Sequence, residues 1–320
     1  MYDTASACNL QISTAVTMFF CWFPDETARE VLAADPDATL AGTLFPPGKA
    51  VPVEGGYRLS GRWSFASGCQ QASWCFGPAF VMDGDSPRIG DDGAPEQIVV
   101  TFRAENAEII DTWNTIGMRG TGSHDVAASG LFLPTLHTAP FGPPQKLSTV
   151  FDYPLYRMQF WQGLAILAPP ALGAARAAID ALIELAVSKT PNFTAKTLRD
   201  RSVVQSNIAK ARARLDSARS YYYESLDEAW QSACDGNRPT LEQKAKIQLA
   251  TSYAVRSAVD SVDLVCEAAG TSAVRKEKPF EKWFRDIRTI TQHAASSTAR
   301  YESVGQVMFG LESDWPFFAL

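Results

Sequence analysis

The spacing of apolar and polar positions divides the chain into zones of different periodicity. Residues 1–35 predict helices, because an apolar segment runs to Phe23 and Pro24, followed by two acidic residues, opens a short second helix that ends near Asp35. From 39 to 134, β-rich runs such as QIVVTF and GYRLSGRWSF alternate with turns that contain Gly or Pro. This middle zone predicts an antiparallel β domain, folded as a small barrel or sandwich.

The last zone has the period of amphipathic helices. Apolar residues recur at steps of three and four over 172–186, 204–218 and 255–266. A further helix is predicted to begin near Lys282 and to run past Ala295. Four long helices with short links predict an antiparallel bundle.

The order of these zones predicts an α+β fold with N-terminal helices, a central antiparallel β-barrel or sandwich and a C-terminal four-helix bundle. The predicted boundaries are 1–37 for the N-terminal helices, 38–137 for the β domain, 138–155 for a connector, 156–311 for the bundle and 312–320 for a tail.

Composition and charge exclude several classes of function. Hydrophobic residues make up 46 % of the 320 residues, so the chain can bury a substantial core, and the net charge of −6 argues against a nucleic-acid partner. The three histidines are not at metal-ligand spacing and the six cysteines form no C-x-x-C pair, so we expect no metal and reduced thiols. The apolar stretch 158–187 contains two prolines and three charged residues, which predicts a core helix and no membrane span. With no basic segment at the N-terminus, we expect a cytoplasmic protein.

Two segments of the predicted β domain carry motifs. The first is GGYRLSGRWSFASG at 55–68, and the second is DTWNTIGMRGTGSHDV at 111–126, followed by LFLP. Together with the helical zone, they resemble the acyl-CoA dehydrogenase superfamily across residues 1–310. The resemblance implies a bound flavin, and it makes residues 1–37 a shortened remnant of the family's N-terminal helical domain.

The resemblance also implies which residues hold the flavin. Flat apolar side chains suit the ring system, a Gly/Ser/Thr-rich turn supplies N–H groups and hydroxyls, and arginine suits phosphate. In an extended strand Trp63, Phe65 and Ser67 would share one face. The cofactor-binding residues are expected to be Trp63, Phe65, Ser67, Trp113, Arg119, Ser123, Arg199 and Gly270. His124 is expected to bond Asp125 within the turn.

One departure from the dehydrogenase pattern favours a different branch of the superfamily. Counting from Arg285-Asp286, the position of the dehydrogenase's catalytic Glu falls on Ala294, beside His293. The run from Trp63 to Trp74 instead resembles the W-x-F-x-S-G-C-x-x-A-x-W pattern of the flavin-dependent two-component monooxygenases. In that branch, the resemblance gives Ser67 a place at flavin N5 and His293 a place near C4a.

These matches predict the oxygenase component of a flavin-dependent monooxygenase. The resemblance implies that reduced FMN or FAD and O2 hydroxylate a small aromatic or other organic substrate through a C4a-hydroperoxyflavin. No GxGxxG follows a strand, so we expect a separate flavin reductase. The resemblance also implies a homo-oligomer, a dimer or tetramer. Two alternatives stay open: an acyl-CoA dehydrogenase-like FAD oxidoreductase with a relocated base, and a non-catalytic scaffold of the same fold.

Overall fold

The computed structural model describes residues 3–142, 146–158 and 160–319, so residues 143–145 of the predicted connector lie outside the described residues. The chain forms two units. The helical unit comprises Met1–Cys8, Thr115–Gly120 and Phe160–Phe318, and the sheet unit comprises Asn9–Asn114, Thr121–Gln159 and Ala319–Leu320. The predicted α+β class is confirmed, and residues 9–37 belong to the same unit as the strands.

The α-helices, in chain order, are α1 (Thr4–Thr17), α2 (Asp25–Ala34), α3 (Pro154–Arg157), α4 (Phe160–Ala165), α5 (Ala168–Ser188), α6 (Ser202–Cys234), α7 (Leu241–Ala269), α8 (Phe280–Ile290) and α9 (Ala299–Met308). The strands are β1 (Leu40–Gly42), β2 (Gly48–Val53), β3 (Gly56–Trp63), β4 (Trp74–Asp83), β5 (Ser86–Pro87), β6 (Gln97–Arg103), β7 (Glu108–Ile110), β8 (Asp125–Pro134) and β9 (Thr138–Pro140).

Within the part of the chain that the structure describes, the strands form one nine-stranded sheet with the order β7-β8-β3-β2-β4-β6-β9, and β1 and β5 pair with β4. Most pairs are antiparallel, but β4 runs parallel to both β1 and β2. The predicted antiparallel β domain therefore needs one correction, at β4, where two of the pairs are parallel. The physical reason is the position of β2 between β3 and β4 in the sheet. Strand β4 runs opposite to β3, and β2 also runs opposite to β3, so β2 and β4 run in the same direction.

The sheet register brings the two motif segments to the same end of the sheet. Strand β3 ends at Trp63, which pairs with Val126 near the start of β8. The connector 64–73 and the turn 121–124 therefore leave the sheet side by side. Neither segment is part of a strand, so each is free to expose polar groups at that end.

The core of the sheet unit is built around the Trp63 indole, which is 1 % exposed. Its Nε1–H donates to the Pro78 carbonyl at 3.0 Å. Three glycines make room for the ring, because a Cβ would lie 2.8 Å from the indole at Gly48 and Gly61 and 2.3 Å from Nε1 at Gly77. Trp63 was one of the residues expected to bind the flavin. Its side chain instead lies in the core of the sheet unit, which corrects that expectation.

The core of the helical unit lies along α5 and α7. By length and composition alone, Gly163–Ser188 could span a membrane, but 61 % of its most apolar window is buried. An ion pair of 2.9 Å joins Arg176 to Asp180 on the same helix. These features are those of the predicted core helix.

The helix predicted to run past Ala295 is shorter than expected. Helix α8 ends at Ile290, residues 291–298 form turns, and α9 begins at Ala299. Hydroxyl side chains end α8, since the Ser296 Oγ donates to the Ile290 carbonyl at 2.6 Å and the Thr291 Oγ1 donates to the Arg288 carbonyl. Such side chains compete with the next backbone hydrogen bonds of a helix.

The segment Thr115–Gly120 of the second motif is fixed to α8. The Asp286 carboxylate, 2 % exposed, accepts the Met118 N–H at 2.7 Å and the Lys282 ammonium at 2.8 Å. A Cβ at Gly117 would lie 2.3 Å from the Arg285 carbonyl oxygen, so no other residue fits there without a shift. Met118 has a φ of +55°, a conformation that non-glycine residues rarely hold without support.

We expect Trp63→Ala to lower the free energy of unfolding of the flavin-free protein by about 3–5 kcal/mol, since it empties a fully buried site. Phe65→Ala, the control, should change it by less than about 0.5 kcal/mol, because Phe65 is 67 % exposed. Denaturant unfolding with hydrogen exchange of the strands measures both. Equal effects of the two variants would contradict the core role of Trp63.

We expect Asp286→Ala to lower the free energy of unfolding by about 1–3 kcal/mol, because it removes the carboxylate that accepts the buried Met118 N–H. Hydrogen exchange of the peptide that covers Thr115–Gly120 should become faster. Glu277→Ala, the control, removes an exposed carboxylate that pairs with Arg275 and should leave that exchange unchanged. Unchanged protection of Thr115–Gly120 in Asp286→Ala would refute the anchoring role.

Candidate active site

A chain of three hydroxyls lies at the end of the sheet where the motif segments meet. The Gly68 N–H donates to the Thr121 carbonyl at 3.0 Å, and the Oγ atoms of Ser67 and Ser123 are 2.7 Å apart. Thr121 Oγ1 is also 2.7 Å from Ser123 Oγ. Ser123 and Thr121 are buried, and Ser67 is half-buried. The chain therefore orients the Ser67 hydroxyl, which is the member nearest solvent. Thr121 belongs to the Gly/Ser/Thr-rich turn that was expected to supply hydroxyls, although it was not among the residues expected to bind the cofactor.

The prediction that Trp63, Phe65 and Ser67 share one face is wrong. Strand β3 ends at Trp63, and Phe65 has a φ of +63°, which interrupts the alternation of an extended strand. Phe65 consequently points out of the core. Its ring meets that of Trp113 edge to face, with centroids 6.1 Å apart. The structure thus brings together Phe65, Ser67, Trp113 and Ser123 in the sheet unit.

His124 fixes the segment that carries Trp113. Its Nδ1 lies 3.3 Å from the backbone nitrogens of Thr112 and Trp113 and accepts from them, and 3.1 Å from Asp111 Oδ1. The predicted bond between His124 and Asp125 is wrong, because the Asp125 carboxylate accepts from the Thr112 hydroxyl instead. His124 therefore anchors the candidate aromatic residue through the backbone.

His293 lies in the turn after α8, within the helical unit. The Ala295 N–H donates to its Nδ1 at 3.1 Å. An accepting Nδ1 carries no proton, so the neutral imidazole holds its proton on Nε2. This tautomer makes the outer nitrogen of the ring a hydrogen-bond donor.

The environment of His293 favours the neutral ring. Its side chain is reached by solvent, yet burial among the surrounding protein atoms lowers the pKa of His293 to about 4. The hydrogen bond that Nδ1 accepts from the Ala295 N–H is compatible only with a ring that is unprotonated at Nδ1. A protonated Nδ1 could not accept that bond, so protonation would break it.

Three other predicted residues lie elsewhere in the helical unit. Arg119 is exposed at the start of a short 3-10 turn, and Gly270, with a φ of +57°, is exposed where α7 ends. Arg199 is exposed ahead of α6, with its Nε 3.9 Å from Asp200 Oδ1, and Gln205 donates to its carbonyl at 2.8 Å. Among the described residues, the structure records no hydrogen bond or ion pair that joins any of the three to the candidate histidine.

Comparison with known proteins first defines the class of fold. Residues 165–298 match the family model of the acyl-CoA dehydrogenase C-terminal domain. The structure of XiaF from Streptomyces sp. in complex with FADH2 and glycerol superposes with a TM-score of 0.89 at 24 % identity, covering 98 % of this chain and 80 % of that one. The chain is an α+β protein of the acyl-CoA dehydrogenase fold.

Two curated relatives define the family within that fold. The chain is 32 % identical over 294 residues to indole-3-acetate monooxygenase of Pseudomonas putida, covering 92 % of this chain and 73 % of that protein. It is 27 % identical over 297 residues to the oxygenase subunit HsaA of a Rhodococcus jostii (strain RHA1) flavin-dependent monooxygenase, covering 90 % and 76 %. The chain belongs to the flavin-dependent monooxygenases, and it is the oxygenase component of such an enzyme.

We expect His293 to titrate near pH 4, well below the ordinary value of about 6.5. Nuclear magnetic resonance of histidine-labelled protein without flavin measures this titration, and His293→Ala assigns the signal. Because only the unfolded chain binds this proton between pH 6.5 and 4, His293 makes folding less favourable as the pH falls through that window. A midpoint near 6.5 would contradict the neutral ring.

Proposed function

We propose that this oxygenase component hydroxylates a small aromatic substrate, with Ser67 and His293 as the two catalytic donors. The observation that carries the proposal is the hydroxyl chain that ends at Ser67 beside the exposed Phe65 ring. The name of the relative at 32 % identity, indole-3-acetate monooxygenase, makes an indole carboxylic acid the first substrate to test.

The residues at the end of the sheet fit a flavin. An isoalloxazine ring needs flat apolar surface and a few fixed donors. Phe65 is 67 % exposed in a strained conformation and rests on Trp113, while Ser67 offers an oriented hydroxyl. When bound, reduced flavin supplies the two electrons with which one oxygen atom of O2 enters the substrate and the other leaves as water.

The hydroxyl chain gives Ser67 the role of a donor. Either member of each pair can donate, so a chain that runs from Thr121 through Ser123 to Ser67 leaves the Ser67 hydrogen free. We propose that this hydrogen bonds a ring nitrogen of the flavin, N5 in the related enzymes. Ser123 would then act through Ser67.

His293 is proposed to act as a donor as well. Its Nδ1 already accepts the Ala295 N–H, so the proton on Nε2 is the one available to a negatively charged oxygen. A ring in this tautomer stabilises developing charge by donating a hydrogen bond. It does not remove a proton from the substrate, because neither nitrogen has a free lone pair.

The phosphate and the partners complete the proposal. Arg199 is exposed and its ion pair with Asp200 is long, so its guanidinium can bind flavin phosphate, with Arg119 and Gly270 as further contacts. The cofactor is reduced FMN or FAD, delivered by a separate reductase, and the protein acts in the cytoplasm. Exposed apolar side chains such as Phe193 and Phe309 support a homo-oligomer, a dimer or tetramer.

The test mixes the protein with reduced FMN or FAD, O2 and indole-3-acetate, and measures hydroxylated product and released hydrogen peroxide. We expect Ser67→Ala to lower the product-to-peroxide ratio at least about tenfold, as loss of one catalytic hydrogen bond does. His293→Ala should lower product at least about tenfold while changing flavin affinity less than about threefold.

Ser129→Ala, an exposed serine of β8, is the matched control and should behave as the wild type. Product formation by His293→Ala at the wild-type rate, or a parallel loss of flavin binding and hydroxylation, would refute the role proposed for His293. A product-to-peroxide ratio in Ser67→Ala equal to that of the wild type would refute the role proposed for Ser67.

A further inference from the structure

The turn that carries His293 is held by a buried side chain of α7. Gln248 is 1 % exposed, and its Nε2 donates to the Ala295 carbonyl at 2.7 Å. The same nitrogen lies 3.2 Å from the Ser252 Oγ, one turn further along the helix. Two hydrogens on one nitrogen thus have two acceptors, which fixes the orientation of the amide.

Ala295 connects Gln248 to His293. Its carbonyl accepts from Gln248, and its N–H donates to His293 Nδ1 at 3.1 Å. Ala295 and Gln248 are both buried, so the bond between them does not compete with bulk water. Ala295 therefore links the buried amide of Gln248 to the imidazole of His293 through two hydrogen bonds.

A purely structural role explains Gln248 poorly. Its neighbours on α7, Ile247 and Ala250, are fully buried apolar residues. Among the described residues, the Gln248 Oε1 has no hydrogen-bond partner, so the amide leaves a buried acceptor unpaired. An unpaired buried polar atom is destabilising, and an apolar side chain of the same length would avoid it. The contact with Ala295 is what the amide adds.

We propose that Gln248 is a positioning residue for His293. By holding Ala295, it keeps the imidazole in the form protonated on Nε2, so that the ring presents a donor. The use of that donor in hydroxylation rests on the proposed function, whereas the positioning is a property of the protein without flavin.

The first test observes the His293 tautomer directly. Flavin-free protein labelled with 15N-histidine is measured at pH 7, where the nitrogen shifts distinguish Nε2–H from Nδ1–H. We expect the wild type to hold the Nε2–H form. In Gln248→Met, which keeps the length but has no donor, the ratio of Nε2–H to Nδ1–H should fall roughly fivefold, the equivalent of about one hydrogen bond.

The matched control is Ser261→Ala. Ser261 is also fully buried on α7, and its Oγ lies 2.8 Å from the Ser257 carbonyl oxygen and 3.1 Å from that of Ala211. It is thirteen positions from Gln248, about 20 Å along the helix, and should leave the His293 tautomer unchanged. If Gln248→Met does not fold, Gln248→Asn withdraws the amide by one methylene and should shift the tautomer in the same direction.

Two results would overturn the positioning role. One is an unchanged tautomer ratio in a folded Gln248 variant, and the other is an equal shift in Ser261→Ala. In the flavin-loaded enzyme, Gln248→Met should lower the product-to-peroxide ratio and retain flavin affinity. If the tautomer shifts and this ratio does not change, positioning by Gln248 stands and the proposed catalytic role of His293 fails.

Discussion

The Asp286 carboxylate is a buried charge, and a buried charge is tolerated only where it is paired and hydrogen-bonded. Its partners are the Met118 N–H and the Lys282 ammonium, so the segment Thr115–Gly120 has to lie against α8. The close approach at Gly117 completes the contact. The Arg-Asp pair of α8 and the Gly-x-Arg-Gly turn are thus two sides of one contact.

The two candidate catalytic residues belong to different units, and each is held by hydrogen bonds to neighbouring residues. In the sheet unit, buried Ser123 and Thr121 orient the hydroxyl of Ser67. In the helical unit, Ala295 sets the tautomer of His293. In both cases, neighbouring groups hold the polar side chain by hydrogen bonds, and the groups that do so are uncharged. Neutral, oriented donors stabilise charge that develops during a reaction without repelling an apolar ring beforehand.

Much of the secondary structure followed from periodicity, since α5, α6 and α7 contain the three apolar repeats that predicted them. The predictions from periodicity were wrong where single backbone angles or hydroxyl groups changed the local structure. A positive φ at Phe65 reversed the face expected for its side chain, and serine and threonine hydroxyls ended α8 at Ile290. Periodicity describes regular structure, so it carries no information about such single-residue departures.

Composition and periodicity are local properties of the chain, and they predicted the α+β class and the order of its elements. The candidate residues Ser67 and His293 came from the resemblance of the motifs to the flavin-dependent monooxygenases. The contacts of each candidate residue depend instead on how distant parts of the chain pack together. The tertiary structure moved Trp63 into the core, gave Ser67 its hydroxyl neighbours and gave His293 the Ala295 N–H. Hydrogen-bond partners from residues far apart in sequence depend on strand register and helix packing. The tautomer of a histidine and the direction of a hydroxyl are therefore properties of the fold.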